Sequence, residues 1–248
     1  PSQVKLNSFD RVDGRCHRVP EIALDLEESD QETLWQHAGE IKWKDLEDPS
    51  GALVYFERLR ERHPSDLEIL GKLEELYHEA GDGPNRITVL RAQIEVLTDR
   101  GATKADLIDE LSKIADVQRT DLGEKDSARH TYAEILDIDP EHLASLRGIK
   151  ELYRADEAWD EVVEYLLREL SLVATGDPED RTQVRMELGD IYRIHKGEEQ
   201  ESLRYYGEIL AEDPAQEDAV SAVESLLSEP DHARDAALML EPIFRDSQ

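Results

Sequence analysis

The stretch LGDIYRIHKGEEQESLRYYGEILAEDP, residues 188–214, decides how this chain folds. Apolar residues at helical spacing, a turn glycine at Gly197 and a closing Pro214 predict two helices joined by a turn. The same pattern occurs earlier as IADVQRTDLGEKDSARHTYAEILDIDP, residues 114–140, with every counterpart at the same offset. A long, fixed period made of helix pairs is typical of a solenoid, in which each repeat contacts only its neighbours.

A third copy of this strong unit precedes the other two. Gly39 lies as far before Pro64 as Gly189 lies before Pro214. Between the strong units lie weaker helix pairs, whose first helices carry Tyr77 and Tyr153. Strong and weak pairs alternate, so the predicted superrepeat is two helix pairs long.

The chain has 59 acidic and 29 basic residues, which gives a formal net charge of −30. Nucleic-acid binding depends on Lys and Arg that neutralise phosphates, and anionic membranes attract the same residues. The charge therefore argues against both partners, and no apolar run approaches the roughly 18 residues of a membrane helix. The acidic surface favours solubility, or the steering of a basic partner, and both interpretations stay open.

The pattern divides the chain into an extended N-terminal arm, residues 1–29, and a helical repeat array, residues 30–248. The arm is locally basic, and it either lies along acidic helices or is a disordered leader; its basic residues are Lys5, Arg11, Arg15 and Arg18. At the other end, Pro242 predicts a kink or a stop in the last helix. Because a terminal repeat needs a polar outer face, apolar Phe244 suggests that the array continues beyond residue 248 or that a partner covers this end.

No catalytic, cofactor or metal site is predicted, and the chain is not expected to be an enzyme. There is no Gly-rich phosphate loop, and Cys16-His17 has no second ligand pair at zinc spacing. Cys16 is the only cysteine, so no intrachain disulfide can form, which fits a reducing compartment and favours a cytoplasmic location.

The strong units resemble the tetratricopeptide repeat. The matching residues are Leu188-Gly189 and Tyr192 on a first helix, and Ala128, Tyr132 and Asp139-Pro140 on and after a second helix. The resemblance implies an all-α fold, a right-handed superhelical solenoid of about six antiparallel helix pairs. It also implies a concave groove, lined by first helices, that binds peptides or protein segments. One departure is that the first helix of each strong unit is one residue longer than the usual unit.

Four first helices carry an acidic residue followed three positions later by a basic one, and the resemblance places both in the groove. These are Glu75 and His78, Asp116 and Arg119, Glu151 and Arg154, and Asp190 and Arg193, with Arg147 nearby. One interpretation is a set of surface ion pairs, worth about 0.2–0.5 kcal/mol each. The other is a row of acidic and arginine side chains that binds the backbone and the charged groups of a partner, because Arg can donate two hydrogen bonds to one carboxylate.

The expected function is a non-enzymatic scaffold or adaptor that binds a protein segment in its groove, and a basic segment is one candidate partner. Two alternatives remain from the sequence. The array is either the regulatory or docking part of a larger enzyme, or a structural module that assembles with further copies through its uncapped C-terminal end. Binding of RNA by such helical repeats is disfavoured by the charge.

Overall fold

Every regular element of the computed structural model, which describes residues 28–246, is a helix. Three of the helices are each followed by a five-residue π-helical segment, at Ile41–Asp45, Val117–Asp121 and Tyr192–Lys196. The twelve helices of this range are α1 (Glu28–Glu40), α2 (Pro49–Arg62), α3 (Leu67–Glu79), α4 (Gly83–Asp99), α5 (Lys104–Asp116), α6 (Lys125–Ile138), α7 (Leu143–Arg154), α8 (Trp159–Val173), α9 (Pro178–Ile191), α10 (Glu199–Glu212), α11 (Glu217–Leu226) and α12 (Ala233–Asp246).

The chain forms two compact units, an N-terminal unit up to Leu122 and a C-terminal unit from Gly123 onward. Within each unit, every helix packs on the helix before it and the helix after it. Because the connecting turns are short, such neighbours run antiparallel. The predicted single-file packing of helix pairs is therefore confirmed within each unit. The count of six pairs stays a prediction, because α5 and α6 lie in different units.

The three closing prolines occupy equivalent positions, as predicted. Pro64, Pro140 and Pro214 each lie two residues beyond the end of a helix. In all three turns the residue before the proline donates its backbone N–H to the carbonyl four residues earlier, with N···O distances of 2.8–2.9 Å. The same turn thus ends α2, α6 and α10, because proline cannot continue the helix.

The glycines of the strong units allow an aromatic ring to approach the first helix closely. A Cβ atom on Gly39 would lie 2.7 Å from Cε2 of Phe56, and one on Gly189 would lie 2.8 Å from Cζ of Tyr206. Both rings are fully buried. A side chain at either glycine would therefore push a core ring out of position.

The extra residue in the first helix of each strong unit is accommodated by a π-helical turn. Hydrogen bonds five residues apart mark this turn, such as Leu46 N–H to the Ile41 carbonyl and Leu122 N–H to the Val117 carbonyl, both at 3.1 Å. A single π turn absorbs one inserted residue without breaking the helix. All three strong units contain this turn at the end of the first helix, and in the third unit it begins one residue nearer to the closing proline than in the other two.

Left-handed backbone conformations end several first helices. In two strong units this position is a glycine, with φ of 67° at Gly123 and 63° at Gly197, whereas the first strong unit has Glu47 with φ of 50°. The weak pairs show the same contrast, with φ of 69° at Gly81 and 56° at Glu157. The two glutamates are strained there because a Cβ atom disfavours positive φ.

Of the predicted kink or stop at Pro242, the stop is wrong, because α12 continues through this residue to Asp246. Pro242 lies on the exposed side of α12, in its last turns, where water can satisfy the carbonyl that loses its partner. Leu238 and Phe244 on this helix are 58% and 46% exposed. The predicted N-terminal arm lies outside the described residues except for its last two, since α1 begins at Glu28.

Candidate protein-binding surface

The nine predicted groove residues are divided between the two units. Glu75 and His78 lie on α3, and Asp116 and Arg119 lie at the end of α5 and in the π turn that follows it. The C-terminal unit contains the other five, with Arg147, Glu151 and Arg154 on α7, Asp190 on α9 and Arg193 in its π turn.

Three of the four acid–base pairs form ion pairs along their own helix. The distances are 3.1 Å for Asp116–Arg119, 2.9 Å for Glu151–Arg154 and 4.0 Å for Asp190–Arg193. The fourth pair does not form, because Nδ1 of His78 lies 3.0 Å from Nη1 of Arg86, while Glu75 is exposed. This geometry agrees with surface ion pairs, and binding of a partner by these residues stays a prediction.

Two of the predicted arginines connect α7 to its neighbours. Arg147 donates from Nε to Glu169 on α8 at 2.6 Å, and Arg154 donates from Nη2 to Glu187 on α9 at 2.8 Å. Between them, Lys150 contacts the same two carboxylates, at 2.9 Å from Glu169 and 3.1 Å from Glu187. We call these five residues the α7–α9 ion cluster. It holds three consecutive helices together through charge-assisted hydrogen bonds.

The centre of the α7–α9 ion cluster is buried. The side chains of Lys150 and Glu169 are 5% and 2% exposed. Burial alone would raise the pKa of the Glu187 carboxyl, but hydrogen bonds from Arg154 and Lys150 outweigh it and hold this pKa below its ordinary value. Removing one partner from such a cluster leaves a buried charge uncompensated, which is strongly destabilising.

An open cleft of about 1160 Å³ lies between α9 and α11, two first helices of the C-terminal unit. Asp190 and Arg193 of the predicted set line one end of it. We call this feature the α9–α11 cleft. Its other lining residues are Pro178, Glu179, Arg181, Thr182, Gln183 and Met186 from α9, Glu212 and Asp213 at the end of α10, and Gln216, Asp218, Ser221, Ala222 and Ser225 from α11 and the residue before it.

Both arginines that line the cleft have partners within the protein. Arg181 donates from Nε and Nη2 to Glu212 at 3.0 and 2.6 Å and from Nη1 to the Ala174 carbonyl. Glu212 also accepts from Arg185 at 2.8 Å. Hydrogen bonds from Arg185 and then Arg181 hold the pKa of the Glu212 carboxyl below its ordinary value.

The opposite end of the cleft is fixed by a polar network on buried Tyr206. The Tyr206 hydroxyl donates to Asp190 at 2.7 Å, and Arg193 donates to the Ser225 hydroxyl across the cleft. Burial, and then the hydrogen bond to Asp190, raise the pKa of Tyr206. The phenol therefore stays neutral and continues to donate at physiological pH.

Sequence analysis missed both the buried ion cluster and most of the cleft. Glu169 gave a usable signal, because it stands in the apolar stripe of α8 with Val162, Leu166 and Val173 on the same face. A charged residue in such a stripe indicates a buried partner. No comparable signal marks the cleft residues Gln183, Asp213 and Ser221, since they come together only when α9 and α11 pack on α10.

A search of the described residues finds no cluster of three or more His, Cys, Asp or Glu side chains placed to hold a metal ion. Among the described helices, none combines the length and the apolar character that crossing a membrane requires.

No protein-family model matches the chain, and no curated protein matches it. Among solved structures, it is similar to the C-terminal part of a TPR repeat-containing protein from Cytophaga hutchinsonii, with 15% identity, a TM-score of 0.52, and coverage of 82% of this chain and 78% of the other. A tetratricopeptide repeat protein from Parabacteroides merdae matches with 18% identity, a TM-score of 0.44, and coverage of 86% and 80%. MamA from Desulfovibrio magneticus matches with 16% identity, a TM-score of 0.42, and coverage of 75% and 96%.

Of these three, the Cytophaga structure has a TM-score above 0.5 and identifies the fold. The regular helix pairs, the repeated glycine–aromatic contacts and the repeated proline turns agree with it. This protein is a helical-repeat protein with a tetratricopeptide-like fold.

Proposed function

We propose that this protein is a non-enzymatic interaction module that binds a segment of a partner protein in the α9–α11 cleft. The observation that carries the proposal is the open cleft between two first helices, lined mainly by exposed or half-buried polar side chains. Packing of α9 and α11 on α10 creates this cleft, so a preformed surface receives the partner at little conformational cost.

The shape of the cleft favours a chain segment over a small molecule. It extends along α9 from Glu179 to Asp190, a distance of about 16 Å at the helical rise per residue. Small-molecule sites enclose most of their ligand and are mainly apolar. This cleft is open to solvent along its length, and Met186 and Ala222 are the principal apolar side chains inside it.

Filling the cleft tests this proposal. Gln183 is exposed and lines the cleft, so Gln183→Trp should block it without disturbing the core. Gln200→Trp is the matched control, because Gln200 is exposed on α10 and does not line the cleft. Peptides selected from a random phage-displayed library on the unmodified protein are measured against both variants by fluorescence anisotropy.

We expect Gln183→Trp to weaken the selected peptides at least tenfold, about 1.4 kcal/mol, and Gln200→Trp to leave their affinity unchanged. Circular dichroism and the urea midpoint establish that both variants are folded. Equal affinity of all three proteins for every selected peptide would contradict binding in the cleft.

Self-association is the second candidate function, favoured by the apolar end of the C-terminal unit. Exposed Leu238 and Phe244 lie on α12. A second cleft of about 810 Å³ is lined there by Leu210, Pro214, Val220, Met239, Pro242 and Ile243, among others. Light scattering over a concentration series should show a larger species that Leu238→Glu abolishes. A constant monomer mass at every concentration would contradict this candidate.

A further inference from the structure

We propose, building on cleft binding as the function, that the bound segment is extended and carries Lys or Arg at the end that meets Glu179, Asp213 and Asp218. These residues belong to the first turn of α9, the residue after α10 and the first turn of α11. Successive helices run antiparallel, so these three places lie at the same end of the α9–α11 cleft. The Arg181–Glu212 contact joins two of them directly.

Negative charges outnumber positive charges in the cleft as a whole. Arg181 and Arg193 are the cleft's two cations, against five carboxylates. Arg181 is held by Glu212, and Arg193 lies at the far end beside Asp190 and Ser225. Among the described residues, no Lys or Arg lies within ion-pair distance of Glu179, Asp213 or Asp218. This acidic end is therefore complementary to a cation that the C-terminal unit does not itself provide.

The middle of the cleft is neutral. Exposed Gln183 and Ser221, half-buried Met186 and buried Ala222 line it. A small or apolar side chain of the partner can contact Met186 and Ala222, while the two polar side chains can bond to its backbone. Because one end of the cleft is acidic and its middle is neutral, the segment binds at a fixed position along the cleft.

The length of the cleft sets the length of the segment. About 16 Å separates the level of Glu179 from that of Asp190 along α9. An extended peptide covers this distance in about five residues. The basic residues therefore belong at one end of a five-residue core, and the residue at the other end lies beside Asp190 and Arg193.

Single exposed ion pairs contribute little to affinity. Several carboxylates in one cleft nevertheless raise the local potential, attract a basic segment and exclude an acidic one. Because these charges are exposed, salt screens them over a Debye length of about 10 Å at 0.1 M. The proposal thus predicts charge-selective binding that weakens as the salt concentration rises.

Three fluorescein-labelled octapeptide pools are the probes. Each has mixed residues at six positions and two fixed adjacent residues near one end, which are Lys-Arg, Gln-Gln or Glu-Glu. Each pool is also made with the fixed pair at the opposite end, because the direction of the segment along the cleft is open. Affinities are measured by anisotropy with the full chain at 50 and 500 mM NaCl.

The test variant is Asp213→Asn with Asp218→Asn, which removes two charges and leaves an oxygen at each position. That oxygen matters because Asp213 accepts a hydrogen bond from the Ala215 N–H. The matched control is Asp137→Asn with Asp235→Asn, two exposed carboxylates of the same unit that do not line the cleft. We expect the test variant to weaken the Lys-Arg pool about three- to tenfold and the control to leave it unchanged.

The outcomes separate this inference from the function on which it rests. Preference for the Lys-Arg pool, lost in the test variant and reduced by salt, supports a basic segment. If the Gln-Gln or Glu-Glu pool binds equally well or better and Gln183→Trp still blocks it, cleft binding stands and the basic segment is overturned. If Gln183→Trp leaves every pool unaffected, cleft binding itself fails. Absence of binding by the Lys-Arg pools in both orientations also overturns the basic segment.

Discussion

At the scale of single residues, the repeat depends on positions where the backbone or an aromatic ring leaves little choice of side chain. Gly189 lies against buried Tyr206, and Gly197 adopts a left-handed conformation. The chain departs from this rule at Glu47 and Glu157, which have side chains where related turns have glycine. Adding a side chain at Gly189 or Gly197 should therefore destabilise the protein, whereas replacing Glu47 or Glu157 by glycine should stabilise it.

Replacing Gly189 by Ala should lower the free energy of unfolding by about 1–3 kcal/mol, because the new methyl group would overlap the Tyr206 ring. Gly71→Ala is the matched control. Its methyl group would lie 4.0 Å from Nε2 of Gln93, an ordinary contact, so the gain in helix propensity should stabilise α3 by about 0.5–1 kcal/mol. Urea unfolding measures both. A stabilising Gly189→Ala would contradict the close approach.

Replacing Glu47 or Glu157 by Gly should raise the free energy of unfolding by about 0.5–1 kcal/mol each. The left-handed conformation costs a non-glycine residue about 1–2 kcal/mol, and the greater freedom of glycine in the unfolded chain offsets part of that gain. Gly197→Ala is the reverse control and should destabilise the protein. Unchanged urea midpoints for both glutamate variants would argue against strain at these turns.

At the scale of helices, apolar stripes and charged clusters join each helix to the next. The core of the C-terminal unit includes Val162, Leu166 and Leu188 between α8 and α9. Beside it, the α7–α9 ion cluster ties three helices through buried Glu169 and Lys150. Arg147 and Arg154, expected at the groove, contribute to this cluster, whereas Asp190 and Arg193 reach the cleft.

Glu187 should make stability depend on pH in the acidic range. Its pKa in the folded protein lies below the ordinary value of 4.5, so its contribution is fully present above that value and is lost as the pH falls through the folded pKa. Glu187→Gln should destabilise the protein by about 1–3 kcal/mol at pH 7. It should also lose less further stability than the unmodified protein between pH 6 and pH 3.5.

The matched control for this change is Glu164→Gln. Glu164 is exposed on α8, and no described ion pair includes it. Denaturant midpoints are measured across the pH series for all three proteins. If Glu187→Gln and the unmodified protein lose stability in parallel on acidification, Glu187 does not contribute to the acid sensitivity.

At the scale of the whole molecule, charge is the dominant property. With 59 acidic and 29 basic residues, one-to-one pairing of every Lys and Arg would still leave about half of the carboxylates without a cation of their own. Self-repulsion of this kind destabilises a compact state. The same excess of negative charge favours solubility.

Raising the NaCl concentration from 0.01 to 0.15 M should stabilise the protein. The Debye length falls from about 30 Å to about 8 Å, which screens repulsion between distant carboxylates more than it weakens short ion pairs. A gain on the order of 1 kcal/mol would raise the first thermal transition by about 2–4 °C. Calorimetry measures the shift, and an equal osmolality of sucrose is the control. A lower transition temperature in salt would show that ion pairs outweigh the repulsion.

The helices, their order and their single-file packing within each unit could all be predicted from the amino-acid sequence, because they follow from local signals. Apolar spacing, turn glycines such as Gly197 and closing prolines such as Pro214 act within one helix pair, and their recurrence fixed the repeat. The extra residue in the first helix of each strong unit was also predicted, although its form as a π turn was not.

The packing of the helices, in contrast, sets which charged side chains bond to neighbouring helices and which line the cleft. Arg154 and Arg193 follow the same acid–base pattern along the chain, yet Arg154 bonds to Glu187 on the next first helix and Arg193 lines the α9–α11 cleft. The difference arises from residues on neighbouring helices, more than thirty positions away. A pattern within one helix cannot specify that, because the partner of a long side chain is set by how the helices pack.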